Sequence, residues 1–133
     1  MAGFTPNEGE TLVANLVYKN ADADRGSSLE LGLFTNSSVG ETITEATITE
    51  PTGGSYARKT LTDASWTVTG DNATYAQQTF TAGTGGYTGS IYGYFIATTG
   101  TTPRILHIEV DASGPYTMAE NDTYDIDLSN VVA

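Results

Sequence analysis

The spacing of hydrophobic residues changes near residue 28, which divides the chain into one helix and a series of strands. Before that point, apolar residues recur at the three- and four-residue spacing of an amphipathic helix: Leu12, Val13, Leu16 and Val17. The preceding Thr5-Pro6-Asn7-Glu8 has the order of a capping box, with proline at the first helical position. We therefore predict a helix over about residues 5–19 that ends at Asn20. Its apolar stripe is expected to pack on the fold or to dock on a partner.

After residue 28 the hydrophobic period is two, which is typical of half-buried strands. Predicted strands cover residues 29–34, 56–62, 66–69, 74–81, 91–97, 104–111 and 124–128. Residues 42–49 are threonine-rich and form an edge strand or an extended loop, whereas residues 82–89 form a glycine-rich, mobile loop.

Some eight short strands at hairpin-like spacing indicate an all-β fold with one short N-terminal helix. We predict an antiparallel two-sheet β-sandwich, with a jelly roll as one form of it and a barrel as the alternative. The 133 residues are expected to form a single domain over 1–133.

The strict period also assigns side chains to faces. On residues 91–97, one face carries Ile91, Gly93, Phe95 and Ala97, and the other carries Tyr92, Tyr94 and Ile96. On residues 104–111, Leu106, Ile108 and Val110 point inward, while His107 and Glu109 point outward.

Charge and composition limit the partners. The chain has 16 acidic and 5 basic residues, a formal net charge of -11 and a sequence pI near 4.1, so we exclude nucleic acid as a partner. After Arg104 there are acidic residues but no further Lys or Arg. No segment is long and apolar enough for a membrane span, and the start of the chain does not have the pattern of a signal peptide. We therefore expect synthesis inside a cell and no membrane partner.

Few residues could take part in catalysis or metal binding. The only histidine, His107, is expected on the polar face of its strand. Carboxylate pairs two residues apart, Asp125 with Asp127 and Glu109 with Asp111, could bind a metal or divide acid and base roles, but the same spacing is typical of a solvated acidic strand. The segment 20–24 begins like a calcium loop but lacks the glycine and the closing acid. We predict no catalytic residue, no cofactor and no metal.

Aromatic residues suggest sugar binding as an alternative function. Tyr92 and Tyr94 on a shared face could stack on a sugar, although burial or a subunit contact is the stronger interpretation, and Trp66 is expected in the core.

The order of several segments resembles a known class of proteins. These segments are LGLFTN (31–36), YARKTLT (56–62), SWTV (65–68), ATYAQQTFTAG (73–83), IYGYFIATTG (91–100) and GPYTMAENDTYDI (114–126). Together they resemble small virion structural proteins of tailed bacteriophages, most of all capsid decoration or cement proteins.

The resemblance implies a non-enzymatic protein on the exterior of a capsid, made in the cytoplasm of a bacterial host. It implies the major capsid protein as partner and a dimer or trimer of the chain itself. Candidate contact residues are Leu12, Leu16, Tyr92 and Tyr94 as an apolar anchor, and Asp125 and Asp127 toward basic patches. A tail or fibre protein, a carbohydrate-binding module and a small hydrolase with paired acids are the alternatives.

Overall fold

The computed structural model describes residues 3–20 and 23–131. These ranges contain one α-helix, a short 3-10 helix at Asp63–Ser65 and seven strands. The elements are α1 (Asn7–Lys19), β1 (Leu29–Phe34), β2 (Lys59–Leu61), β3 (Thr67–Thr69), β4 (Asn72–Thr81), β5 (Gly93–Thr98), β6 (Ile105–Val110) and β7 (Thr123–Val131).

The strands form two antiparallel sheets. One sheet has the order β2-β1-β5-β6 and the other has the order β3-β4-β7. The predicted all-β, two-sheet sandwich with an N-terminal helix is therefore confirmed. Period-two burial explains the layering, because Ile126 and Leu128 of β7 are buried while Asp125 and Asp127, which alternate with them, are exposed.

The four-stranded sheet is buried on both faces. One face packs against the three-stranded sheet through a core that includes Leu31, Leu33, Phe80, Tyr94 and Ile126. The other face carries a second core, in which Phe34 and Phe95 pack with Ile43 and Ile48. Residues 35–50 cover this second core as a loop with turns, so the loop alternative for residues 42–49 is the correct one.

The helix ends at the predicted residue but starts differently. Asn20 has the left-handed conformation (φ 50°) and its N–H bonds to the carbonyl of Asn15. At the other end the N-cap position is Pro6, and no side chain caps it, so the capping-box prediction is wrong. The carboxylate of Glu8 instead accepts the backbone N–H of Glu45 (2.8 Å) and of Ile105 (2.7 Å). It thereby ties α1 to residues 35–50 and to β6.

Two local irregularities change the predicted faces. Ile91 precedes β5 and forms an isolated bridge with Tyr116, so it shares the inter-sheet core with Tyr94 rather than lying on the face of Phe95. In β6 the pairing skips Leu106, which packs toward the inter-sheet core, away from Ile108. One extra residue in a strand reverses the faces on its two sides.

Candidate functional site

An apolar groove lies between α1 and the sandwich. It has a volume of about 610 Å³, and its lining includes Val13, Ala14, Tyr18, Trp66, Val68 and Leu106. The helix leaves this groove open because its apolar residues spread over more than one face. Leu12 is buried, whereas Val17 and Tyr18 are 71% and 87% exposed, and Val68 of β3 is 70% exposed.

The two predicted contact residues of the helix therefore differ in exposure. Leu12 is 3% exposed and cannot contact a partner, which corrects its assignment, and Leu16 is half-buried. The exposed apolar residues beside them on the helix are Val13, Val17 and Tyr18. The apolar stripe predicted from the sequence includes Val17 but not Tyr18. The position of Tyr18 in the last turn of the helix could have indicated that its side chain is exposed.

Two of the residues that line the groove each have a buried polar atom. Trp66 Nε1 and His107 Nε2 have no hydrogen-bond partner among the described residues. Trp66, which was expected in the core, is only partly buried and packs against the core, with its ring edge-on to Tyr75 (centroids 5.1 Å apart). Arg25 pairs with Asp63 at the rim (2.9 Å). The groove combines an apolar wall with a charged rim, which is typical of a surface that binds another molecule.

His107 is not the surface residue that we predicted. Its side chain is 14% exposed, because the extra residue at Leu106 turns it toward Tyr94, whose ring centroid lies 6.2 Å away. Burial lowers the pKa of His107, and the nearby carboxylate of Glu109 opposes that shift. At 3.8 Å the Nε2–Oε2 distance is too long for a hydrogen bond, so burial dominates.

Tyr92 and Tyr94 do not form a shared platform. Tyr94 is 6% exposed in the inter-sheet core and its hydroxyl donates to Glu109 (3.0 Å), whereas Tyr92 packs against the second core. The reason is again the irregular start of β5. The pair cannot stack on one sugar, and the burial interpretation is the correct one for Tyr94.

Both predicted carboxylate pairs line a single acidic cleft of about 330 Å³, formed by Glu109 and Asp111 at the end of β6 and by Asp125 and Asp127 of β7. The hydroxyl of Tyr94 donates to Glu109, and that of Tyr124 donates to Asp111 (2.8 Å). Burial and these carboxylates raise the pKa of both tyrosines, so they remain hydrogen-bond donors. Within residues 3–20 and 23–131, no three acidic or histidine side chains group closely enough to hold a metal ion.

The calcium-like segment 20–24 is only partly described, since residues 21 and 22 lie outside the described ranges. Asp24 accepts the N–H of Thr102 (3.3 Å) and lies 3.6 Å from Arg104. Its carboxylate is therefore engaged in holding this turn against residues 101–104.

Over the described ranges, no helix combines the length and the apolar character needed to cross a membrane. Comparison of the chain with protein-family models, with curated proteins and with solved structures gave no match.

Proposed function

We propose that this chain is a non-enzymatic structural protein of a virus particle, which decorates and stabilises an assembled capsid by binding across subunits of the major capsid protein. The observation that carries the proposal is the exposed apolar surface of Tyr18 and Val68, which both line the apolar groove, with Val17 next to Tyr18 on the helix. Contiguous apolar surface on a small domain marks an interaction site.

The character of this surface suits a protein partner. Tyr18 is almost fully exposed, and tyrosine is an amphipathic side chain that is enriched at protein interfaces. The groove behind it can take an apolar side chain from the partner. Because many copies bind a symmetric shell, each contact can be small.

The acidic surface supports the same function. A net charge of -11 keeps free copies apart, while basic patches on a shell would attract them. A protein that binds only the assembled shell stabilises it by mass action, without any chemical step. A dimer or trimer that matches a symmetry axis of the shell is the form we propose for the bound chain.

The first test is the number of copies in purified particles relative to the major capsid protein. Copies in the hundreds support decoration, a handful indicates a tail or fibre protein, and absence from particles refutes a virion function. Particles that lack the chain are expected to release their genome at lower temperature.

The second test changes the apolar surface. The Val17→Ser/Tyr18→Ser variant should fold normally, because both side chains are exposed, and should bind particles that lack the chain at least tenfold more weakly, since hot-spot aromatic residues contribute about 2 kcal/mol or more. Ala46→Ser/Ala119→Ser alters two exposed apolar positions elsewhere and should bind normally. Equal binding by both variants would contradict the proposed surface.

A further inference from the structure

The outer edge of β7 is the longest open strand edge in the described part of the chain. β7 spans nine residues, Thr123–Val131, or about 30 Å at strand rise. It pairs with β4 on one side and is the last strand of its sheet. Among residues 3–20 and 23–131, no backbone group bonds to its other side. Alternate N–H and C=O groups of β7 therefore face outward without a strand partner.

The outer edge of β6, in contrast, is closed by other parts of the chain. At the outer side of β6, Phe4 and Ile108 exchange two backbone hydrogen bonds of 2.9 Å, and the carboxylate of Glu8 accepts the N–H of Ile105. The edge strands β2 and β3 have only three residues each. Edge strands are usually short, covered or charged, which prevents unwanted pairing; β7 is neither short nor covered, and its protection is the charge of Asp125 and Asp127.

Charge around this edge selects the kind of strand that could pair with it. Asp125 and Asp127 lie on the outer face of β7, and Glu109 and Asp111 lie across the acidic cleft from it. An added strand would meet carboxylates on both sides. No Lys or Arg lines the cleft.

A second copy of this chain is a poor occupant. Pairing β7 with β7 would bring the aspartates of two copies together, and like charges at opposed strand positions are unfavourable. A strand that carries Lys or Arg would instead gain cross-strand ion pairs.

We propose that the outer edge of β7 binds a basic, extended segment of a partner protein, which adds to the three-stranded sheet as a fourth strand. The added backbone supplies the hydrogen bonds that β7 lacks, and its Lys or Arg side chains contact Asp125, Asp127 and the carboxylates of the cleft. This inference concerns a surface other than the apolar groove and does not depend on binding to a capsid.

The test uses the isolated protein and a ten-residue peptide of alternating lysine and valine. Amide hydrogen exchange and NMR titration should show binding at the acidic cleft and slower exchange at alternate residues of β7. The same peptide with every backbone nitrogen methylated keeps its charge but cannot donate strand hydrogen bonds, so it should not slow exchange. A glutamate-valine peptide should not bind.

Protein variants test the charge. Asp125→Asn/Asp127→Asn keeps the acceptors for Thr79 and Gln77 and should weaken binding about threefold to tenfold, given the modest strength of exposed ion pairs. Glu41→Gln/Asp71→Asn removes two exposed charges away from the cleft and should change binding by less than twofold.

Three results would overturn the proposal. They are equal binding of the methylated peptide, equal loss in both double variants, and protection that maps to the apolar groove rather than β7. The particle experiments above are independent of this outcome, because a chain absent from particles could still bind the peptide.

Discussion

His107 illustrates how a single residue can acquire an environment that its sequence neighbours do not indicate. Its imidazole is buried beside Tyr94 and Glu109, under Gly3, where a β-carbon would clash with Nε2. The fold therefore favours the neutral ring, and burial lowers its pKa below the ordinary value of about 6.5.

We expect this histidine to make stability depend on pH. Below about pH 6.5 the unfolded chain binds a proton at His107 that the folded chain takes up only at lower pH, so the free energy of unfolding falls as the solution is acidified through this range. Urea unfolding from pH 7.5 to 5.0 measures the effect. His107→Gln should show a smaller decrease than the wild type over the same range. Parallel curves for the two proteins would contradict the assignment.

A local irregularity in β6 explains why the sequence pattern predicted the wrong environment for His107. A strict period of two puts residue 107 outside and residue 106 inside, but the pairing of β5 with β6 skips Leu106. Such a bulge depends on contacts with a neighbouring strand and leaves no signal in the period itself. The same limit applies to Tyr92 and Tyr94, which the period placed on one face.

Gly93 is a second residue whose role depends on close approach. A β-carbon there would collide with the carbonyl oxygen of Glu109 and with the ring of Phe34. We expect Gly93→Ala to lower the free energy of unfolding by about 3 kcal/mol, as overpacking of a tight core does. Gly40→Ala is the matched control, because nothing lies near its β-carbon, and it should change stability by less than about 0.5 kcal/mol. Similar losses in the two variants, measured by urea unfolding, would contradict this explanation.

At the scale of elements, one arginine makes several of the polar contacts that hold residues 35–50 on the sheet. Arg58 binds Glu50 through two nitrogens, with its closest contact at 2.8 Å, bonds to Glu45 at 2.7 Å and lies over the ring of Phe95. Burial opposes its charge, but the bonds to Glu50 and Glu45 outweigh burial and raise the pKa of the guanidinium. Tyr56 also donates to Glu50 (2.7 Å). The loop that covers the second core is thus fixed by polar contacts at its end.

We expect Arg58→Met to destabilise the protein by about 3 kcal/mol, since its removal leaves partly buried carboxylates without a counter-charge. Hydrogen exchange should accelerate over residues 35–50 more than in β4 and β7. Arg25→Met is the control, because its partner Asp63 is 53% exposed and the pair should contribute less than about 1 kcal/mol. An equal loss in the two variants would show that Arg58 acts only as a surface charge.

Strands and helix were predictable because each depends on local periodicity. The spacing of Leu29, Leu31 and Leu33 predicts β1, and Asn20 predicts the end of α1. Contacts between distant segments were not predictable. The carboxylate of Glu8 bonds to Ile105, 97 residues away, rather than to its own helix end. The gathering of Glu109, Asp111, Asp125 and Asp127 in one cleft likewise follows from how two sheets meet.

For the whole molecule, charge is distributed unevenly because the fold uses most of its cations internally. Arg25, Arg58 and Arg104 each lie within ion-pair distance of carboxylates. The acidic residues around β7 have no such neighbours lining their cleft. With a net charge of -11, the folded state therefore carries uncompensated repulsion.

Screening of that repulsion should stabilise the fold. Raising the ionic strength from about 0.01 M to 0.2 M shortens the Debye length from roughly 30 Å to less than 10 Å, so we expect the free energy of unfolding to rise by on the order of 1 kcal/mol. The partly buried contacts of Arg58 are screened less and should lose little. Asp125→Asn/Asp127→Asn carries two fewer negative charges and should gain less from salt than the wild type. Stability that falls with added salt would mean that attractive ion pairs, rather than repulsion around β7, dominate the electrostatics of the molecule.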